Sequence, residues 1–339
     1  MKKVICFSLC DKNYIDMVKV ALYSFFQYND LEMKVFLTDD SSEIYKEVFK
    51  DFDFYDKLEF IDFCQGTKTK EYIDKHFDDF KTFKFCFDKS GILNVTIANE
   101  VTDYMSSRYA EKYEVILRLD LDVIFFGSVI PSVDNFIKSG KALGGCFEHM
   151  KNFHLGRSLF KLDDYVKCRY YINAGNFMYR TKYMLRNQFE RMQSLFETLG
   201  FEKFHYFDQD TVNLMYNDDS KYNAVPDGWI IPIIPLNFYG KFIEQGKCPI
   251  NIHFVGAYKP FLDYEKYRSL NLNFNGTNDF YLVFPFYLET ARKVGCSETF
   301  CENIEHNYGI YKDLSEKDPP LFKMLVKILE KRSKALKGL

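Results

Sequence analysis

The stretch Glu114–Val129, EVILRLDLDVIFFGSV, joins an apolar run, two aspartates separated by one residue and a second apolar run. The first run predicts a buried strand in the middle of a sheet, because a strand covered on both faces reads as continuous hydrophobics rather than alternation. Residues two apart in extended chain point the same way, so Asp120 and Asp122 at the strand end can face one cation. Other pairs with this spacing exist, Asp51/Asp53 and Asp208/Asp210. Only Asp120 and Asp122 follow a run such as VILRL, where ions are costly unless paired or bound to metal. A solvated pair of strand-end acids is the structural alternative.

Working outward, short β-branched or aromatic runs alternate with helical patterns, the signature of an α/β fold on a mostly parallel sheet flanked by helices. Strands are predicted at Val4–Cys10, Met33–Thr38, Leu58–Phe63, Ala142–Phe147, Tyr170–Arg180 and from Asn251. Helices are predicted at Ile15–Tyr28, Leu93–Met105, Lys182–Leu199 and from Asp208. Residues 65–89 carry no readable pattern, and the prolines between Val225 and Pro235 predict loop and edge strands. The tail Leu321–Leu339 reads as a basic amphipathic helix, which can lie on an anionic membrane face or pack on the core.

The chain has 339 residues, 47% of them hydrophobic, enough for one large domain with a smaller appendage. Its formal charge of −3 offers no global attraction to nucleic acid. Nine scattered cysteines, no signal-peptide pattern and no apolar run of about 20 residues predict a reduced, cytoplasmic protein. The 36 phenylalanines and 25 tyrosines suit a core at least as well as a sugar-stacking surface. His253, at the end of a predicted strand, is either a satisfied core residue or a ligand. If it joins the two aspartates, the mixed oxygen and nitrogen set favours Mn²⁺ over Mg²⁺. A cation there would neutralise a departing diphosphate.

Four motifs in order, DLD at Asp120, NAGNFMYR from Asn173, DQDTVN from Asp208 and HFVGAYKPF from His253, resemble glycosyltransferase family 8. The likeness spans about residues 1–262 and implies a GT-A fold and a catalytic domain over that range, followed by a helical extension at 263–339. It also implies a Mn²⁺-dependent transfer of a hexose, glucose or galactose, from a UDP-sugar with retention of configuration. Glycan or lipid-linked saccharide acceptors, as in lipopolysaccharide synthesis, are implied with it. Asp120, Asp122 and His253 would hold the metal, with Asp120 also facing the donor. Asp11, Asn13 and Tyr14 would meet the nucleoside, and Ala174 and Gly175 would allow close backbone approach to the sugar. Gly256 and Lys259 would meet the diphosphate, while Asn173, Asp208 and Gln209 would surround the sugar and its anomeric carbon. The chain departs from the family in one respect: the helix from Ile92 offers no central basic residue to reach the donor, and Lys84, Lys89 and Arg118 are the substitutes at hand. A sugar-nucleotide binder without turnover and a haloacid dehalogenase-type phosphohydrolase, with Asp120 as nucleophile and Asp122 as acid, are the rival readings.

Overall fold

The computed structural model describes residues 2–64, 66–80, 89–150, 170–204, 207–217, 222–224, 230–232, 250–254, 259–262 and 283–314, with 327 and 330. The chain forms two compact units. Met1–Asn13, Leu31–Asp120 and Pro131–Pro226 make the first; Tyr14–Asp30, Leu121–Ile130 and Asp227–Leu339 make the second.

The first unit holds a seven-stranded sheet of β1 (Lys2–Cys10), β2 (Met33–Leu37), β3 (Leu58–Asp62), β4 (Tyr113–Leu119), β6 (Leu143–Met150), β7 (Tyr170–Arg180) and β8 (Tyr222–Ala224). Its order is β3-β2-β1-β4-β7-β6-β8, so β4 is the central strand. The pairs β1–β2, β2–β3, β1–β4 and β6–β8 are parallel, while β7 runs antiparallel to both β4 and β6. The sheet is therefore mixed and mostly parallel, as the sequence predicts. Val4 to Phe7 are buried without a break, as an interior strand covered on both faces requires. Gly145 of β6 sits against β7 so closely that a Cβ there would lie 2.4 Å from Ile172 Cγ2 and 2.6 Å from the Asn176 carbonyl oxygen. A residue without a side chain is what permits that approach.

Around this sheet run α2 (Ser42–Phe49), α3 (Lys68–Phe80), α4 (Lys89–Thr96), α5 (Ala98–Tyr109), α6 (Ile130–Ser139), α7 (Gln188–Leu199) and α8 (Phe207–Met215). Ile5, Phe7, Ile116, Phe177 and Tyr179 of the sheet share one core with Ile97, Val101 and Met105 and with Val212 of α8. A second cluster gathers Phe80, Phe189, Phe196, Phe204 and Phe207. In it Phe196 meets Phe204 at 4.6 Å and Phe80 at 5.8 Å, both edge to face. Here the rings fill the core.

Three segments differ from their sequence reading. Residues 68–80, unread in the sequence, form α3. The helix expected over Leu93–Met105 is two helices, α4 and α5. At their junction the Thr96 hydroxyl donates back to the Ile92 carbonyl at 2.7 Å, a bond that bends helices. The helix expected from Lys182 begins only at Gln188, because Asn187 sits in the left-handed region at φ 58°.

The second unit holds a three-stranded sheet, β5 (Val123–Phe125), β10 (Asn251–His253) and β9 (Ile230–Pro232), with β10 in the middle. This sheet adds to the single one expected. Its helices are α1 (Ile15–Phe26), α9 (Phe284–Lys293) and α10 (Glu298–Leu314). Phe25 of α1 meets Phe125 edge to face at 5.1 Å, and the Phe125 N–H donates to Ser24 Oγ at 3.1 Å. The C-terminal helices attach to the same helix: Lys19 Nζ donates to the Gly295 carbonyl at 3.0 Å and the Ser297 N–H to Asp16 Oδ2 at 3.1 Å. No helix among the described residues is long and apolar enough to cross a membrane. The predicted helix at Leu321–Leu339 lies outside the described residues, apart from Lys327 and Glu330.

Candidate active site

The strand order of the first unit contains a switch point. From β1 the chain builds β2 and β3 to one side and returns to place β4 on the other, parallel to β1. In open α/β sheets the crevice beyond the carboxyl ends of two such strands is where ligands bind. Asp11 directly follows β1, and Asp120 directly follows β4.

Asp11 is almost fully buried, 3% exposed. Its carboxylate accepts the Asn13 N–H at 2.8 Å and Asn94 Nδ2 at 2.7 Å, and its carbonyl accepts the Tyr45 hydroxyl at 2.7 Å. An aspartate folding back on the N–H two residues on makes a tight local turn. Asp11 thus shapes the loop, leaving Asn13 exposed and Tyr14 half-buried.

On the other side, the Asp120 N–H donates to the Gly175 carbonyl at 2.8 Å, one step past the last β4–β7 pair, Leu119 with Asn176. That bond carries Asn173, Ala174 and Gly175 beyond the end of β4. Asn173 Oδ1 accepts the Gly175 N–H at 2.9 Å, and the Ala174 N–H donates to Gln209 Oε1 at 2.7 Å. Asn213 fastens α8 to the same strand, accepting the Ile172 N–H at 2.9 Å and donating to the Ile172 carbonyl at 2.8 Å. Asp208 stands in the first turn of α8, where the helix dipole favours an acid, and its Oδ1 accepts the Gln209 N–H at 2.9 Å. These bonds bring the Asn173–Gly175 segment and the start of α8, with Asp208 and Gln209, together.

Arg118 completes this cluster. It is 5% exposed on β4, with Nη1 2.5 Å from Asp208 Oδ2 and Nη2 3.7 Å from Asp120 Oδ1. Burial works against its charge, but the carboxylates of Asp208 and Asp120 outweigh it and hold the guanidinium firmly protonated. The sequence named Arg118 only among possible substitutes. The usable signal was a cation inside an otherwise apolar strand, which demands buried anions nearby.

In the second unit, the Phe254 N–H donates to the Asp122 carbonyl at 2.8 Å, and Val123 pairs with His253. This pairing sets the His253 Nε2 2.9 Å from Asp122 Oδ1, while Lys259 Nζ contacts Asp122 Oδ2 and donates to the Phe254 carbonyl at 3.3 Å. Burial pushes the Asp122 carboxyl up, but the charges of His253 and Lys259 prevail and hold it well below the usual carboxylate range. Gly256 lies outside the described residues.

Asp120 and Asp122 are held near each other by the single intervening residue, through a bend at Leu121–Asp122 rather than the pleat of one continuous strand. One ligand atom from each of Asp120, Asp122 and His253 lies within 4.8 Å of the others. Two carboxylates and an imidazole, brought this close, fit a divalent ion such as Mn²⁺ or Mg²⁺.

Residues 5–265 match the family described as Glycosyl transferase family 8. Among curated proteins, none matches. The galactosyltransferase LgtC in complex with donor and acceptor sugar analogues is similar in structure, at TM-score 0.59 and 16% identity over 88% of this chain and 99% of that one. An active-site mutant of LgtC is similar at TM-score 0.55 and 18% identity, over 79% of this chain and 94% of its own. The bifunctional glycosyltransferase WbbM in its apo form is similar at TM-score 0.51 and 15% identity, over 86% of this chain and 52% of its own. At these identities the likeness establishes the GT-A fold.

Proposed function

Since the chain belongs to glycosyl transferase family 8, we propose that it moves glucose or galactose from a UDP-sugar to a hydroxyl of a glycan or lipid-linked saccharide, with retention of configuration. The observation that carries this reading is the convergence of Asp120, Asp122 and His253. LgtC, bound to donor and acceptor sugar analogues, supports a sugar donor and a sugar acceptor here. Bound by those three side chains, Mn²⁺ or Mg²⁺ supplies positive charge against the diphosphate as the sugar leaves.

The remaining roles belong to the chain. Asn13 and Tyr14, on the loop shaped by Asp11, receive the nucleoside. Lys259 exchanges Asp122 for the diphosphate, which Gly256 also meets. Ala174 and Gly175 admit the sugar close to the backbone, while Asn173 and Gln209 orient its hydroxyls beside Asp208. The acceptor oxygen bonds to the anomeric carbon as the bond to the β-phosphate oxygen breaks. Its proton passes to that departing oxygen on the same face, and UDP leaves. The family match, ending at residue 265, supports a catalytic domain at 1–262 with 263–339 as a helical extension. The expected location is the cytoplasm, with the basic tail reaching the inner membrane face and its lipid-linked saccharides.

UDP release from UDP-glucose and UDP-galactose, with Mn²⁺ and with EDTA, tests the reading. At least one donor is expected to turn over only with metal, and Asp122→Asn to lower the rate by about 100-fold or more, the scale of lost transition-state charge stabilisation. A Mn²⁺-dependent thermal shift without UDP release would reduce the protein to a sugar-nucleotide binder. Neither signal with any UDP-sugar would defeat the proposal.

A further inference from the structure

Arg118 is a buried cation between two acids that the chain brings from different elements. Asp120 ends β4, Asp208 opens α8, and the guanidinium reaches both, at 3.7 Å and 2.5 Å. Its carbon lies 6.0 Å from the Phe177 ring centre, over the ring. Its Nε has no hydrogen-bond partner among the described residues. A pin serving only the fold would be expected to satisfy its donors, since an unpaired buried N–H is costly. Here the group is held by charge, and its Nε–H is not among the groups that pair.

Building on the transferase reading, we propose that Arg118 is a positioning residue: it ties the Asp208 carboxylate to the end of β4 and tempers the pull of Asp120 on the metal. Three consequences follow from the geometry. First, both Asp208 oxygens are engaged, Oδ2 by Arg118 and Oδ1 by the Gln209 N–H at 2.9 Å. The first turn of α8 is thereby locked, and with it Gln209, whose side chain holds the Ala174 N–H at 2.7 Å. Second, the fork puts a positive charge on the strand itself, whereas the middle of the segment from Ile92 carries none. Third, a fixed cation beside Asp120 opposes the approach of a divalent ion, because like charges a few ångströms apart repel strongly in a site of low dielectric. Metal affinity and turnover are then set against each other by one side chain.

The test uses the full chain and the variants Arg118→Met and Arg118→Lys. Free Mn²⁺ is titrated by electron paramagnetic resonance without donor, and kcat and donor KM are taken from UDP release. Arg118→Met is expected to bind Mn²⁺ about three- to tenfold more tightly as the opposing charge goes. Its kcat should fall about 100-fold with donor KM changed by less than about threefold, since alignment is lost and not donor contact. Arg118→Lys keeps the charge but not the two-point fork, so its Mn²⁺ affinity should match the wild type while kcat falls about tenfold. Unchanged or weaker Mn²⁺ binding by Arg118→Met overturns the inference. If that variant does not fold, wild-type kcat in Arg118→Lys overturns it. Either result, with a wild type that releases UDP in Mn²⁺, leaves the transferase reading standing. A wild type that neither binds Mn²⁺ nor releases UDP overturns both.

Discussion

Asp122 and Cys10 show how the same effect of burial ends differently at two titratable groups. Burial disfavours ionisation in each case. At Asp122 it is outweighed by His253 and Lys259, and the carboxylate remains charged. At Cys10, which ends β1 beside Asp11, no cation among the described residues answers it, and burial pushes the thiol up to about 12. Only the thiolate reacts with alkylating agents, so at pH 8 this side chain stays protonated and inert. Native protein treated with iodoacetamide at pH 8 should leave Cys10 unmodified, and protein in urea should label it, as peptide mass spectrometry will report. Labelling of Cys10 at the same rate in both states would contradict its burial. Asp120, Asp122 and His253 were legible as candidate ligands from residue type and strand context. Arg118 was not, because its partner Asp208 is distant in sequence and nothing in a strand pattern names the helix that will cover it.

At the scale of elements, α7 shows how a helix can be capped from elsewhere. Asn187 precedes it in a left-handed conformation and makes no side-chain cap. Instead, Asp103 of α5 accepts the Gln188 N–H at 2.9 Å and the Phe189 N–H at 3.0 Å. Two orphan donors of the first turn are met by one carboxylate, which also favours the positive end of the helix dipole. Asp103→Ala should lower stability by about 0.5–2 kcal/mol, the usual cost of losing a cap, read from urea unfolding. An unchanged midpoint would show that solvent caps α7 equally well. Sequence alone misplaced this helix start, because helical periodicity continues upstream through Lys182 and the true cap comes from another helix. The residues of α3 were missed for a related reason: its apolar stripe, Tyr72, Ile73 and Phe80, is sparse, and its stability comes from the phenylalanine cluster it joins.

At the scale of the whole molecule, the second unit is assembled from three stretches of chain, and the C-terminal helices take part in its core. Phe261 stacks on Phe300 at 4.9 Å, and Asn307 Nδ2 donates to the Pro260 carbonyl at 2.8 Å and the Leu262 carbonyl at 2.6 Å. The segment that follows is the part whose role is membrane contact in the proposal. Removing residues 315–339 should leave UDP release intact but abolish flotation with vesicles containing anionic lipid, since several Lys and Arg side chains leave with it. Equal flotation of both proteins would remove the membrane role.

Local chemistry was enough to announce an α/β chain with acids at the end of a buried strand, because strand periodicity and the cost of burying carboxylates act over a few neighbouring residues. Which acids meet which cations was decided only when β4, β7 and α8 packed in one unit and β5 and β10 paired in the other. Arg118 with Asp208, and Asp122 with His253 and Lys259, are contacts between residues far apart in the chain, and their partners are selected by topology, about which a linear pattern carries no information.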